Sequence, residues 1–418
     1  MLRNYPRAVL AVLLLINIIA YIDRSMLLAF SPQITQELGL DDTQFGFLSG
    51  AVWVLSYSLM VLFLGTLADR FSRTRIIAGG MLVWSVCTAA SGLADNFEHL
   101  VMARFLVAAG EAALVPSATA LLADLFDGRH RSTANGLFFM GIPLGIGLAY
   151  LLSGSVGSDM GWRGTFIALG VAGVVISLLL AFVRDEGATS AFEHGEAFFP
   201  QMRSILQELR RQPALRYAIA GFVIIHLGFA QSSFLQLWLV RDLGADEAAI
   251  AQQIGILQIL FGCLGAAGGG IAADRLAHGV RSRLAGFPAL MLVICLPLMV
   301  MSRFVELHNP LLYIGLAASF FLPFSVYGST LSLVQSSVPH HMRASIVGFT
   351  MMCLNVLAIA IGSLLVGVLS DRMTRAGDPA ALTKVLLGID VLMLLAIACF
   401  VQAARALQRS AHAVPHSG

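Results

Sequence analysis

Gly65-Thr66-Leu67-Ala68-Asp69-Arg70-Phe71-Ser72-Arg73-Thr74-Arg75 is a short charged strip between two long apolar runs. A second strip, Gly270-Ile271-Ala272-Ala273-Asp274-Arg275 with Arg281 and Arg283 after it, stands between two later apolar runs. Other features keep the same spacing: Arg131 with Gly136 against Arg343 with Gly348, and Asp159 against Asp371. One offset of about 205 to 212 residues, half the chain, relates all three pairs, as expected of a membrane protein built from two repeated halves with its substrate site near the midplane at their interface.

The apolar runs set the class. Of 418 residues 58% are hydrophobic and only 12% charged, too little charge to cover a soluble surface. A bilayer core of roughly 30 Å needs about 20 mostly apolar residues per helix. Backbone in lipid must satisfy its own hydrogen bonds, and these runs are too long and too uniform for barrel strands, so they read as helices. Twelve spans are expected near 8–31, 44–68, 76–94, 97–124, 132–156, 164–183, 214–240, 247–273, 284–302, 310–338, 344–370 and 383–404. The first apolar run continues past residue 20 without a small-residue cleavage site, so it reads as a span and not as a signal peptide. The longest connector divides the chain into a six-helix bundle at 1–183, a linker at 184–213 and a second six-helix bundle at 214–418.

With a cytoplasmic N-terminus, only Arg163, Arg241, Arg303, Arg372, Arg375 and Lys384 fall outside, while the other basic residues between spans, among them Arg3, Arg7 and Arg184, fall inside. That distribution satisfies the positive-inside rule and, with an even span count, puts both termini in the cytoplasm. In the linker, Met202, Ile205, Leu206 and Leu209 share one helical face against Arg203, Glu208, Arg210 and Arg211; this is the pattern of a helix on the inner membrane surface, and a solvated tether fits it as well. Cys87, Cys263, Cys295, Cys353 and Cys399 all lie inside apolar runs with no CxxC spacing, so they read as packing residues. No metal or cofactor is expected beyond a proton gradient, and the partners expected are the bilayer and a small substrate, without nucleic acid, for a monomer.

The strip Gly65, Asp69, Arg70, Arg73, Arg75 closely matches the G-x-x-x-D-R-x-x-R-x-R signature between spans 2 and 3 of the major facilitator superfamily, and Asp274-Arg275 sits in a degraded copy. The chain resembles that superfamily over essentially its whole length. Gly65 permits close helix approach, and Asp69 can pair with basic residues or cap a helix start. In the superfamily the strip acts as an inner latch, so the resemblance implies a gating role for Gly65, Asp69, Arg70, Arg73, Arg75, Asp274 and Arg275. Gly161-Trp162-Arg163 before span 6 is also similar to a common superfamily feature. Tyr21-Ile22-Asp23-Arg24 in span 1, with Arg104-Phe105, Gly110-Glu111 and Pro116 in span 4, resembles the Spinster branch, though Ala108 stands where that branch often carries glycine. Animal members of the branch export sphingosine phosphate or move lysophospholipids.

Asp23, Arg24, Arg104 and Glu111 are the most informative residues. Each ion facing lipid near the bilayer centre would cost about 2.5–3.5 kcal/mol, so they must face a wet cavity or one another. Arg104 and Glu111 lie on one helix face about 10 Å apart, and Asp23 and Arg24 must point about 100° apart. Asn17, Tyr21 and Arg24 share a face. The superfamily lines its cavity with spans 1, 4, 7 and 10, so the resemblance implies that these groups converge; a structural ion-pair network between spans 1 and 4 explains them too. Glu111, central in span 4, is the preferred proton carrier, with Asp23 second. Arg24 and Arg104 suit a phosphate or carboxylate, which guanidinium binds bidentately.

The later spans are poorer in buried charge. His226 in span 7 is a candidate cavity residue or a core histidine. Phe324 and Tyr327 in span 10, like Tyr21 in span 1, are candidates for lining a substrate site, although aromatic stripes are usually packing. Asp390 in span 12 reads as half of a structural pair. Gly141-Ile142-Pro143-Leu144-Gly145 with Gly147 resembles an antiporter glycine-proline motif, and reads more simply as a kinked, closely packed helix. The reading is therefore an all-α membrane protein with the two-bundle major facilitator fold. It moves an amphiphilic or anionic lipid-like solute by proton-coupled alternating access. A broad efflux pump and a passive scramblase are the alternatives; cationic drugs fit Arg24 and Arg104 poorly. No channel filter is visible, and no enzyme constellation either: His340-His341 is the only histidine pair and has no acidic ligands beside it.

Overall fold

The computed structural model describes residues 5–68, 71–126, 128–182, 198–277, 281–339 and 342–412. Arg3, Asp69, Arg70, Arg184 and the His340-His341 pair lie outside them, as do the side chains of Arg131 and Asp274 and the burial of Gly65. Among the described residues there are helices and no strands, and twelve of the helices are long and apolar enough to cross a membrane. They are α1 Pro6–Ala29, α2 Asp42–Val61, α3 Arg73–Ser91, α4 Phe97–Leu125, α5 Thr133–Gly154 and α6 Val156–Ala181. The later six are α7 Pro213–Ser233, α8 Glu247–Ala273, α9 Ser282–Ser302, α10 Pro310–Ser336, α11 Ser345–Arg375 and α12 Ala381–Arg409.

Local chemistry marks the helix starts. Asp41 and Gln44 form a reciprocal capping box at the start of α2, satisfying two amides that a helix start leaves without partners. Asn96 accepts from the His99 amide at 2.8 Å to open α4, and Asn309 from the Leu311 amide at 2.9 Å to open α10. The breaks were less legible. α4 is two segments, Phe97–Glu111 and Leu114–Leu125. Pro116 has no N–H to offer the Ala112 carbonyl and its ring crowds that carbonyl, so the helix opens directly after Glu111. The expected continuous span 214–240 is instead three pieces, Pro213–Ile225, Leu227–Ser233 and Leu235–Arg241. α6 begins earlier than expected, with Asp159 in its first turn, and bends at Gly161, whose φ of 68° is left-handed. α2 and α11 each carry a π-helical stretch, Phe47–Val52 and Leu354–Ile361.

The contacts group the chain into two compact units. The first comprises Met1–Glu193, Ser233–Ile259 and Ser363–Asp371; the second comprises His194–Ser232, Leu260–Gly362 and Arg372–Gly418. Ile16, Ala20, Met81, Trp84, Val107 and Phe138 of α1, α3, α4 and α5 form the main core of the first. Because lipid is as apolar as these side chains, close packing must hold such helices together, and small residues supply it. A Cβ on Gly145 would lie 2.5 Å from that of Tyr21, and one on Gly147 2.7 Å from the Gly255 carbonyl. That is the closely packed helix expected of the glycine-proline motif. Val171, Val175, Leu178, Leu179 and Phe182 form an exposed stripe on α6, the face such a helix turns to lipid.

In the second unit, Ile225, Leu292, Leu296, Leu322, Met393 and Phe400 form one core. The linker pattern folds as a helix, Phe198–Arg211. Ile205 is buried and Leu209 packs beside it against Leu215, Leu333 and Ile346, so this helix docks on protein and is not a free tether. Leu206, expected on the apolar face, is 47% exposed.

Candidate functional site: charges inside the first unit

Asp23 is 2% exposed and Arg104 is 4% exposed. Arg104 Nη1 donates to Asp23 Oδ1 at 3.0 Å, and its Nη2 approaches the Asp23 and Arg24 carbonyls at 3.5 and 3.4 Å. The other carboxylate oxygen of Asp23 accepts from the Thr88 hydroxyl of α3. One buried ion pair thus ties α1 to both α3 and α4. This is the geometry of the network expected between spans 1 and 4, with Thr88 as a member that the sequence did not single out.

Arg24 takes the other direction, as neighbours on a helix must. Its guanidinium carbon lies 3.4 Å from the Trp53 ring centroid and 5.9 Å from that of Tyr21. Trp53 stacks on Tyr57, with centroids 4.4 Å apart and planes 18° off parallel. Its indole N–H donates to Glu111 Oε2 at 2.7 Å. Glu111 is buried, and its Oε1 accepts no hydrogen bond among the described residues. Asn17 shares with Tyr21 the face of α1 that meets the α5 glycines and donates to the Phe138 carbonyl of α5 at 2.7 Å.

The aromatic candidates of the second unit come together. His226 is fully buried, its Nδ1 2.7 Å from the Phe222 carbonyl of its own turn. The His226 centroid lies 5.6 Å from that of Tyr327 and 5.3 Å from that of Phe229, and Phe229 meets Phe324 at 6.2 Å. The Tyr327 hydroxyl donates to Met351 Sδ at 3.1 Å. Asp390 is the structural partner expected: it accepts from Arg303 Nε at 2.8 Å and from Gln231 Nε2 at 2.7 Å.

Of the charged strip, Arg73 is buried and paired with Asp124 at the end of α4. Arg75 is exposed, as is Arg275 at the end of the second copy. Gly65 lies in the helical continuation of α2, Trp53–Ala68.

A second charge cluster closes the end of the first unit where α2 starts. Arg241 holds both oxygens of Asp42, Nη1 to Oδ1 at 2.9 Å and Nη2 to Oδ2 at 2.8 Å, the bidentate fork that guanidinium favours. The Ser370 hydroxyl donates to Asp42 at 2.5 Å. Asp371 accepts from the Asp42 and Thr43 amides at 3.0 and 2.9 Å, so a carboxylate of α11 caps α2 where the helix dipole favours an anion. A Cβ on Gly367 would meet the Asp42 carbonyl at 2.1 Å, and one on Gly46 the Ser363 carbonyl at 2.3 Å. Asp371 stands in the repeat offset, whereas Asp42 and Arg241 carry no sequence signal beyond charge near a helix end and Ser370 carries none. At the same end Glu37 accepts from Trp162 Nε1 at 2.5 Å and Arg163 Nε at 2.7 Å. Arg163 also donates to the Gly92 and Ala94 carbonyls at 3.1 and 2.6 Å. Hydrogen bonds from Arg163 first and Trp162 second hold the Glu37 carboxyl below the usual range.

Twelve apolar helices joined by glycine contacts are the architecture of a multi-pass membrane protein. The Major Facilitator Superfamily model matches residues 13–363, and the chain belongs to that superfamily. An "MFS-type efflux pump" of Mycolicibacterium smegmatis is 27% identical over 92% of this chain and 90% of its own length. "Protein spinster homolog 1" of Homo sapiens is 31% identical over 65% of this chain and 55% of its own length. Among solved structures, a bacterial homolog of the human lysosomal transporter Spinster, inward-facing and unoccupied, superposes with a TM-score of 0.84 at 21% identity, covering 97% of this chain and 98% of that one. The chain is thus a transporter of this superfamily that is similar to Spinster proteins, and the relatives named are transporters, not enzymes.

Proposed function

We propose that this protein is a proton-coupled transporter of a bacterial inner membrane. It moves an amphiphilic, anionic lipid-like solute of the lysolipid or sphingoid-phosphate class by alternating access, and both its termini are cytoplasmic. The observation that carries the reading is Glu111, a buried carboxyl with one oxygen engaged and one bare, among Asp23, Arg24 and Arg104. With Glu111 ionised the four charges cancel. A proton on Oε1 leaves one uncompensated positive charge, which favours an anionic head group. Asp23 already has donors on both oxygens, so Glu111 is the better proton carrier. Arg24 rests on aromatic faces and not on a carboxylate, so it is the guanidinium with donors to offer a phosphate.

The gates in this reading are the charged strip at the cytoplasmic end and the Asp42–Arg241–Asp371 cluster at the outer end. The efflux-pump relative supports a second reading, export of varied amphiphiles. Proteoliposomes test the proposal. With an imposed pH gradient, Glu111→Gln is expected to abolish gradient-driven uptake of oleoyl-lysophosphatidate, and Asp23→Asn to reduce it. Undiminished proton-driven uptake in both variants would sink the proposal. Lipid movement that ignores the gradient would make the protein a scramblase, and transport of cationic dyes alone a drug pump.

A further inference from the structure

Glu111 of α4 and Arg24 of α1 make no ion pair with each other, and the residue between them is Trp53 of α2. Its in-plane N–H is bound to Glu111 Oε2 at 2.7 Å, and its π-face carries the Arg24 guanidinium at 3.4 Å. We propose that Trp53 is a positioning residue that relays the protonation state of Glu111 to Arg24. This rests on the reading that Glu111 carries the proton.

The argument is geometric. Indole is a donor only, so its hold on Glu111 is strongest when that group is a carboxylate. That bond fixes the rotation of the ring, and the ring face positions Arg24 through a cation–π contact. Tyr57 lies parallel behind the indole at 4.4 Å, so the ring can turn in its own plane more easily than it can tilt. The π-helical stretch Phe47–Val52 ends immediately before Trp53. It shifts the helical register so that Trp53 and Tyr57 both reach this site, and such stretches recur at functional sites. The other charged or titratable groups that act on Glu111 are Asp23, Arg24 and Tyr21 of α1 and Arg104 of α4. Arg104 is committed to Asp23, and Tyr21 bonds Arg24 but acts on Glu111 only through space, so Trp53 is the residue in direct contact with both. When Glu111 takes a proton on Oε1, the bond from Trp53 to Oε2 loses its charge assistance and weakens, the indole turns, and Arg24 loses its platform and becomes available to an anion.

Purified wild-type protein, Trp53→Phe, Trp53→Tyr, Glu111→Gln and Arg24→Gln in nanodiscs test this. Two signals are followed between pH 5 and 9: the infrared carboxyl stretch and tryptophan emission. The expected carboxyl signal is lost in Glu111→Gln and kept in both Trp53 variants. The expected pH-dependent emission change disappears in the Trp53 variants and in Glu111→Gln, and falls at least about twofold in Arg24→Gln. If the emission change survives in the Trp53 variants, or is unaltered in Arg24→Gln, the relay is wrong while the proton reading stands. If Glu111→Gln leaves the carboxyl signal intact, Glu111 is not the titrating group and the proton reading fails instead. Because both aromatic replacements keep a ring on Tyr57, the packing survives for the comparison.

Discussion

Asp23 and Arg104 show how an apolar interior tolerates ions. Neither lies open to lipid, and each has its hydrogen-bonding capacity largely met by the other, by Thr88 and by backbone carbonyls. Such a pair adds little stability over a well-packed apolar pair, but breaking it strands a charge, at about 3–5 kcal/mol. Asp23→Asn and Arg104→Gln are therefore each expected to lower thermal stability strongly. The double variant should cost less than the two together, because the second change removes the stranded partner. A double-mutant cycle of unfolding in micelles measures this, and simple additivity would show that the pair is not coupled. The four charges inside the apolar runs were legible in sequence because ions there have few explanations. Their separation was legible too, since adjacent helical residues diverge. Trp53 and Thr88 were not, because an indole or a hydroxyl is unremarkable in a membrane helix until its partner is known.

At the scale of elements, the positions of the spans followed from hydropathy, whereas their interruptions did not. Pro116 explains the opening of α4 after the fact, yet many membrane helices accommodate proline without a break. The π-helical stretches of α2 and α11 have no sequence signature at all, and a reading that assumes 3.6 residues per turn misplaces every face beyond them. The contact of α2 with the end of α11 depends on two glycines, Gly46 and Gly367, whose added Cβ atoms would collide with backbone. Gly367→Ala is expected to part these helices and leave the Asp42–Arg241 pair in place on its own. An impermeant maleimide should then label a cysteine at buried Ser363 about tenfold faster, the change produced by about 1.4 kcal/mol of lost closing free energy. Equal labelling rates with and without Gly367→Ala would show that this contact does not hold the end shut.

Over the whole molecule, the repeated strips identified a duplicated frame, and the superfamily match agrees with it. The charges inside the spans do not follow the duplication. Asp23, Arg24, Arg104 and Glu111 belong to the first six helices, while the second unit carries the Arg303–Asp390 pair and an aromatic group. The orientation proposed for the chain has its own test. In a cysteine-free background, an impermeant maleimide added to intact cells should label Ala376→Cys and spare Gln207→Cys, both exposed positions, until the cells are opened. The opposite pattern would invert the topology.

The Asp23–Arg104 pair also bears on biosynthesis. Its partners are 81 residues apart in the chain, so α1 leaves the ribosome carrying two charges long before α4 exists. At typical elongation rates of about 5–20 residues per second, roughly 4–16 s separate them. For that interval Asp23 lacks the Arg104 that pairs with it. The first helix must therefore wait beside the insertion machinery, or slide partly out of the hydrocarbon, until the fourth arrives to release it.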